Sequence, residues 1–397
     1  MHSHAECGNE VKYRSIILNK KICTVCGEKV DDEYFDIEQE KCILHCEKQE
    51  NDWYTINPIG EKVWDKVKTE NFWILLNQKK TNSGNTDFSN LIFPEFTENC
   101  FEYFFPKYNI NDGIVGAKPK YQVAKDVKFN NVVFMGKTFF DGIEFTKNLK
   151  FQFTKFEDSV TFYDCKIGKH FIFEVSKHKK YFDIWKCEVN ELSFIAPFFE
   201  KDTIVQLRDL HIKKLTLSKI KNSSDFFRLD KITIEDNLNL EKMNFKNFNF
   251  NDIEFNGKIK IDGCSFFGAT FTNINWGDIS RIEANRETFV QLKKIYDNQG
   301  NHITANSFHS VSMSKWIEEL KQKENACFQD KVIAWFGEIS SNFSQSWLLP
   351  LLWIITFTLG FFFRLLYSTI IRKYRYSCSV YSQVYNLSFF IPAIYIF

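Results

Sequence analysis

The sequence predicts a mainly β chain: a repeat-built solenoid, preceded by a small metal-binding module and followed by helices and one or two membrane spans. Three observations carry this expectation. Apolar residues recur in pairs, two apart, at five-residue intervals from about 121 to 280. Four of the eleven cysteines crowd between Cys23 and Cys46, and Ile339 to Phe363 contains no charged residue.

Bulk properties narrow the function classes. The 397 residues have room for two or three domains. With 51 Lys+Arg against 50 Asp+Glu, no global field draws in nucleic acid or an anionic surface. Seven prolines and sixteen glycines argue against long disordered linkers. The start, "MHSHAECGNEVKYRS", lacks an apolar h-region, so no secretory signal is visible and the thiols are expected to stay reduced. Isolated cysteines such as Cys100, Cys165, Cys187 and Cys264 then read as small core residues.

Residues 1–50 form the metal-binding module. In "CTVCGEKVDDEYFDIEQEKCILHC", Cys23 and Cys26 make a C-x2-C knuckle, and Cys42, His45 and Cys46 close the site fifteen residues later. Two short pairs biting from opposite sides suit tetrahedral zinc, with either His45 or Cys46 as fourth ligand. A site this rich in sulfur is expected to be closed and structural, stapling a fold of about 30 residues that is too small to hold without metal. A redox C-x-x-C would need a βαβ context, and a nucleic-acid knuckle a basic, aromatic surround; neither is present in the sequence. His2, His4 and Cys7 read as a terminal segment rather than ligands.

Residues 51–120 read as an aromatic-rich connecting region, with a helix in "EKVWDKVKTENFWILL" and a polar loop at "KKTNSGNTD". From 121 to 283 the five-residue beat dominates. Phe245, Phe250, Phe255, Phe266, Phe271 and Trp276 follow it, with one six-residue step through Ile261. Five is neither the strand nor the helix period. Residues i−2 and i share a face in extended chain, so a pair, a bend and a restart make one side of a coil. Stacked coils would bury a continuous apolar column, at roughly 4.8 Å per coil. The competing reading is an antiparallel sheet with frequent turns. "SKHKKYFDIW" and "KNSSDFFRLD" break the rhythm and read as loops. Asn249, Asn251, Asn256 and Lys258 are expected to face outward.

At "CSFFGATFTNINW" the chain resembles the pentapeptide-repeat proteins, with Cys264 and Ala269 as the small residues before Phe266 and Phe271. That resemblance implies a right-handed quadrilateral β-helix. Most other pairs carry Val, Ile, Leu or Met at i−2, which implies coils less regular than the family's.

Residues 284–343 read as a helical hairpin plus an amphipathic helix. Asn285 is the N-cap of a helix burying Phe289, Leu292, Ile295 and Tyr296, and Gly300 is its stop. A second helix runs through "ITANSFHSVSMSKWIEELKQK", and "CFQDKVIAWFGEISSNF" suits a membrane interface or a packed helix. Residues 344–397 form the membrane segment: one run from Trp347 continuing through "LLYSTII", and a diluted second run from Tyr376 to Phe397, which looks cut short at its end. Arg364, Arg372, Lys373 and Arg375 favour a cytoplasmic connector, while the missing signal favours cytoplasmic N-terminal domains. A re-entrant or interfacial first run would reconcile the two. The order of these segments resembles the membrane-anchored bacterial branch of the pentapeptide-repeat proteins, several of which carry an N-terminal cysteine cluster.

The expected function is a non-catalytic scaffold or interaction module in the bacterial inner membrane, its N-terminal domains cytoplasmic, with an unknown protein partner. No nucleic acid and no small-molecule substrate are expected. A DNA mimic of the topoisomerase-binding kind needs an acidic rod, and residues 121–280 hold 24 Lys+Arg against 22 Asp+Glu. No phosphate loop, nucleophile elbow or HExxH occurs in the sequence, so an enzyme is not expected.

Overall fold

The computed structural model describes residues 20–83, 86–96, 100, 107–108, 120–222, 224, 226–322, 327–341, 346 and 348–382. His2, His4, Cys7 and the end of the second apolar run, 383–397, lie outside them. The chain divides into two compact units, Met1–Gln299 and Gly300–Phe397.

The first unit is built on a parallel β-solenoid of about seven turns. Phe129, Phe134, Phe140 and Phe145 pair with Phe151, Phe156, Phe162 and Ile167, so one coil presents four inward ladders. The pairing partner lies twenty-one to twenty-three residues on, as in Phe173 to Phe194, Phe129 to Phe151 and Phe182 to Val205, because some sides take six residues where others take five. The Ile261 step is one of these. It stacks on the equivalent step of the coil below, with Leu240 paired to Ile261.

The apolar pairs point inward because the strand pleat puts i−2 and i on one face. Stacking then follows from the coil repeat. Phe129, Phe151, Phe173 and Phe194 lie ring on ring at centroid distances of 4.8, 5.1 and 5.1 Å, within 6° of parallel. Asn256 and Lys258 are exposed and Asn249 and Asn251 half-exposed, as expected of outward positions. Cys100, Cys165, Cys187 and Cys264 are buried small residues, whereas Cys327 is exposed.

Single left-handed residues turn the corners. Asn131, Phe153, Val175, Ala196, Lys219, Lys242 and Gly263 each follow an inward residue by two and share φ of 49 to 60°. That conformation disfavours a Cβ, above all a branched one. Elsewhere close approach dictates the residue. A Cβ on Gly257 would sit 1.8 Å from the backbone oxygen of Asp236. Gly257→Ala is therefore expected to destabilise the chain by about 2–3 kcal/mol, read as a lower denaturation midpoint.

Two expected loops are coil sides instead. "SKHKKYFDIW" contributes the strands Lys177–His178 and Tyr181–Trp185, and "KNSSDFFRLD" contributes Lys221–Asn222 and the start of Phe226–Glu241. Their polar inward residues hid the beat. His178 is fully buried, stacked 4.9 Å from both Phe156 and Phe199. Its Nε2 meets Ser176 Oγ at 2.8 Å, and its Nδ1 has no hydrogen-bond partner. Burial lowers its pKa from 6.5 to about 3. Between those values the unfolded chain binds a proton that the folded chain excludes. Stability present above pH 6.5 is therefore lost as the pH falls toward 3. A variant joining His178→Phe with Ser176→Ala should show a flatter fall in thermal midpoint from pH 7 to 4 than the unaltered chain.

The solenoid also begins before residue 121. Asp87 bridges to Lys128, Ile92–Phe93 pairs with Val133–Phe134, and Phe96 bridges to Thr138. The connecting region thus supplies the first coil and its cover. Helix α1 (Lys66–Ser83) starts later than the expected "EKVWDKVKTENFWILL", because Lys62–Trp64 pairs with Tyr54–Ile56 as a hairpin. Its Phe72 and Trp73 meet Phe93 at 5.6 and 5.8 Å and close the first coil. Helix α2 (Arg286–Asn298) closes the last coil, with Asn285 capping Thr288 N at 2.9 Å. There Trp276 Nε1 donates to Tyr296 Oη at 2.6 Å. Helix covers at both ends keep open strand edges from pairing with other chains.

The second unit holds helices α3 (His302–Gln322), α4 (Phe328–Ser341) and α5 (Leu348–Ser382). The expected hairpin helices α2 and α3 thus fall in different units. Within α5, Leu348–Ile371 is 24 residues of mean hydropathy 1.9 and none of its most apolar stretch is buried. At about 1.5 Å per residue this exceeds the roughly 30 Å hydrocarbon core. The helix runs on without interruption through Arg364, where a re-entrant turn would need a break.

Candidate metal centre

Two small hairpins carry the cluster. Lys21–Ile22 pairs with Lys29–Val30, and the loop between them turns at Cys23 and Cys26. Gly27 supplies the left-handed φ of 70°, and its N–H donates to Cys23 O at 2.8 Å. Phe35–Asp36 pairs with Lys41–Cys42, after which His45 N and Cys46 N both donate to Cys42 O, at 2.9 and 3.0 Å. Thr24 N donates to Glu40 O at 3.1 Å and brings the hairpins together.

One ligand atom from each of Cys23, Cys26, Cys42 and His45 lies within 4.8 Å of all the others. His45 Nδ1 is 3.0 Å from Cys42 Sγ and 3.9 Å from Cys23 Sγ, and the Cys26 and Cys42 sulfurs are 4.0 Å apart. A tetrahedral zinc site has ligand–ligand edges of about 3.5–3.8 Å. Three thiols and one imidazole on two short turns make a donor set that could hold a metal ion.

Cys46 does not join them. The turn that carries His45 inward sends the Cys46 sulfur toward Ile43 O at 3.8 Å and Lys48 Nζ at 3.5 Å. Of the two fourth ligands the spacing allowed, the geometry gathers His45. Spacing missed two lysines. Lys48 is buried, donating to Ile43 O at 2.6 Å and Cys46 O at 2.9 Å, with its Nζ 4.2 Å from the Trp53 ring centre. Lys79, on α1, lies 4.0 Å from Cys26 Sγ. Neither belongs to a metal-ligand motif in the sequence.

Burial is the largest influence on protonation at the site. Burial pushes the Cys42 thiol up to about 12 and raises Cys26. Burial works against Cys23 too, yet backbone N–H groups of Cys42, Cys26 and Val25 bring it down to about 7. Burial, then Lys79 and Lys48, lower His45 to about 4, leaving a neutral imidazole with a lone pair to donate at neutral pH. The site joins the solenoid through Ile92 N, which donates to Leu44 O at 2.9 Å.

No protein-family model, curated protein or solved structure matches the chain.

Proposed function

We propose that the chain is a non-catalytic, membrane-anchored scaffold of the pentapeptide-repeat kind, docking a protein partner on its solenoid flank and stapled by a structural zinc ion. The carrying observation is one chain holding both a seven-turn solenoid and an exposed apolar helix of 24 residues. A solenoid offers a long surface of repeated outward positions suited to another protein. Four inward ladders at steps of mostly five or six residues support the pentapeptide-repeat reading. The apolar groove of about 490 Å³ between α4 and α5, lined by Trp335, Phe336, Ile339, Trp353 and Phe357, supports a lipid environment.

The bacterial inner membrane, with the solenoid on the cytoplasmic side, is part of the same proposal. The DNA-mimic alternative is disfavoured, because outward carboxylates are matched by lysines, as in Lys179 with Glu157 and Lys214 with Glu191. Crosslinking in cells from photoreactive residues placed at Asn249 or Lys258, followed by mass spectrometry, tests docking. One recurrent protein partner is expected. Repeated recovery of none from these and other outward positions would remove the docking role.

A further inference from the structure

We infer that Lys79 is the counter-charge of the metal centre, shielding Cys26 and tying metal occupancy to the helix that closes the solenoid. The inference rests on reading Cys23, Cys26, Cys42 and His45 as a metal site. Three thiolates and a neutral imidazole around a dication leave one net negative charge. A cation in the surrounding shell offsets it, and Lys79 Nζ lies 4.0 Å from Cys26 Sγ. Its ion pair with Glu28 fixes the side chain from the knuckle itself, since Glu28 O accepts from Cys23 N at 3.0 Å.

Position matters as much as charge. Cys23, Cys42 and His45 are buried, while Cys26 is half-exposed and is the ligand an electrophile reaches from solvent. Lys79 stands beside that sulfur. A thiolate stabilised by an ammonium group and a metal is a poorer nucleophile than a free thiolate, because intrinsic nucleophilicity falls with thiol pKa.

Lys79 also belongs to α1. It follows Leu76 by three residues and Phe72 by seven, and both of these are buried. Such spacings share a helix face. The side chain that meets the metal loop is therefore held by the packing that closes the first coil, where Phe72 lies 5.6 Å from Phe93. Lys48 also faces α1 through the Phe72 ring at 5.2 Å and bears on His45 electrostatically, but its ammonium donates to Cys46 and two carbonyls rather than to a ligand sulfur.

The test uses zinc-loaded, full-length protein in detergent, with Lys79→Met, Lys79→Arg and Glu28→Gln beside the unaltered chain. Chelator competition should show Lys79→Met holding zinc roughly 10–100-fold more weakly, with Lys79→Arg within a few-fold of the unaltered chain. Iodoacetamide should alkylate Cys26 first and faster in Lys79→Met: Sγ displaces iodide, a thioether forms, and a metal ligand is lost. Amide exchange along α1 should quicken in the same variant. Glu28→Gln, which leaves Lys79 in place but unfixed, should fall between the two and serves if Lys79→Met does not fold. Unchanged zinc affinity and unchanged Cys26 alkylation in Lys79→Met or Glu28→Gln would overturn the role of Lys79. An unaltered chain that binds no zinc would instead overturn the metal reading beneath it.

Discussion

Cys42→Ser is expected to abolish tight zinc binding and to unfold residues 20–50, whereas Cys46→Ser should retain one zinc per chain. The two sulfurs are four residues apart, yet only Cys42 Sγ faces His45 Nδ1, at 3.0 Å. Structural zinc contributes on the order of 10 kcal/mol of apparent binding free energy at pH 7, and a module of this size has no core to replace it. The damage should spread in one direction. Leu44 O would lose its hold on Ile92 N, and Lys48 its place 5.2 Å from the Phe72 ring, so α1 and the first coil should exchange amide protons faster. Coils beyond about residue 160 touch none of these groups and should keep their protection. Equal zinc content in Cys42→Ser and Cys46→Ser would contradict the ligand assignment.

The second large effect lies in the column of rings. Phe151 is fully buried, stacked on Phe129 at 4.8 Å and Phe173 at 5.1 Å, and edged by Phe162 at 5.8 Å. Phe151→Ala removes a ring from the middle of the stack, where neither neighbouring coil can close the gap. The expected cost is about 4 kcal/mol, read as a drop in denaturation midpoint. Two residues on, Phe153 is 58% exposed and sits at φ of 50°. Phe153→Asn should be neutral or stabilising, because asparagine tolerates that backbone better. The contrast between two phenylalanines in one strand turn separates inward ladder from outward corner. A comparable loss from both would contradict the coil geometry.

The difference between these neighbours also shows what the sequence could reveal. A pair at i−2 and i is a local relation, so the inward residues from Val127/Phe129 to Ala269/Phe271 were legible as a rhythm. Stacking partners stand about one coil apart and leave no local trace. Polar inward residues broke the pattern where His178 replaces a phenylalanine in the stack. The first coil was hidden for a different reason: its sides, around Phe93 and at Lys120–Val123, are separated by residues 97–119. In the metal module, the C-x2-C knuckle and the second short pair after a fifteen-residue spacer named Cys23, Cys26 and Cys42. The choice between His45 and Cys46 depended on the direction in which one turn sends each side chain. Lys79 reaches the site from 53 residues away, through helix packing that no spacing encodes.

Anchoring is tested most directly by fractionating cells that make the full-length chain. Membranes are washed with high salt and then alkaline carbonate before detergent is added. The protein is expected to stay with the membranes through both washes and to enter solution only with detergent, because Leu348–Ile371 would lie in the hydrocarbon core. Release of the intact chain by salt or carbonate would contradict an anchored solenoid.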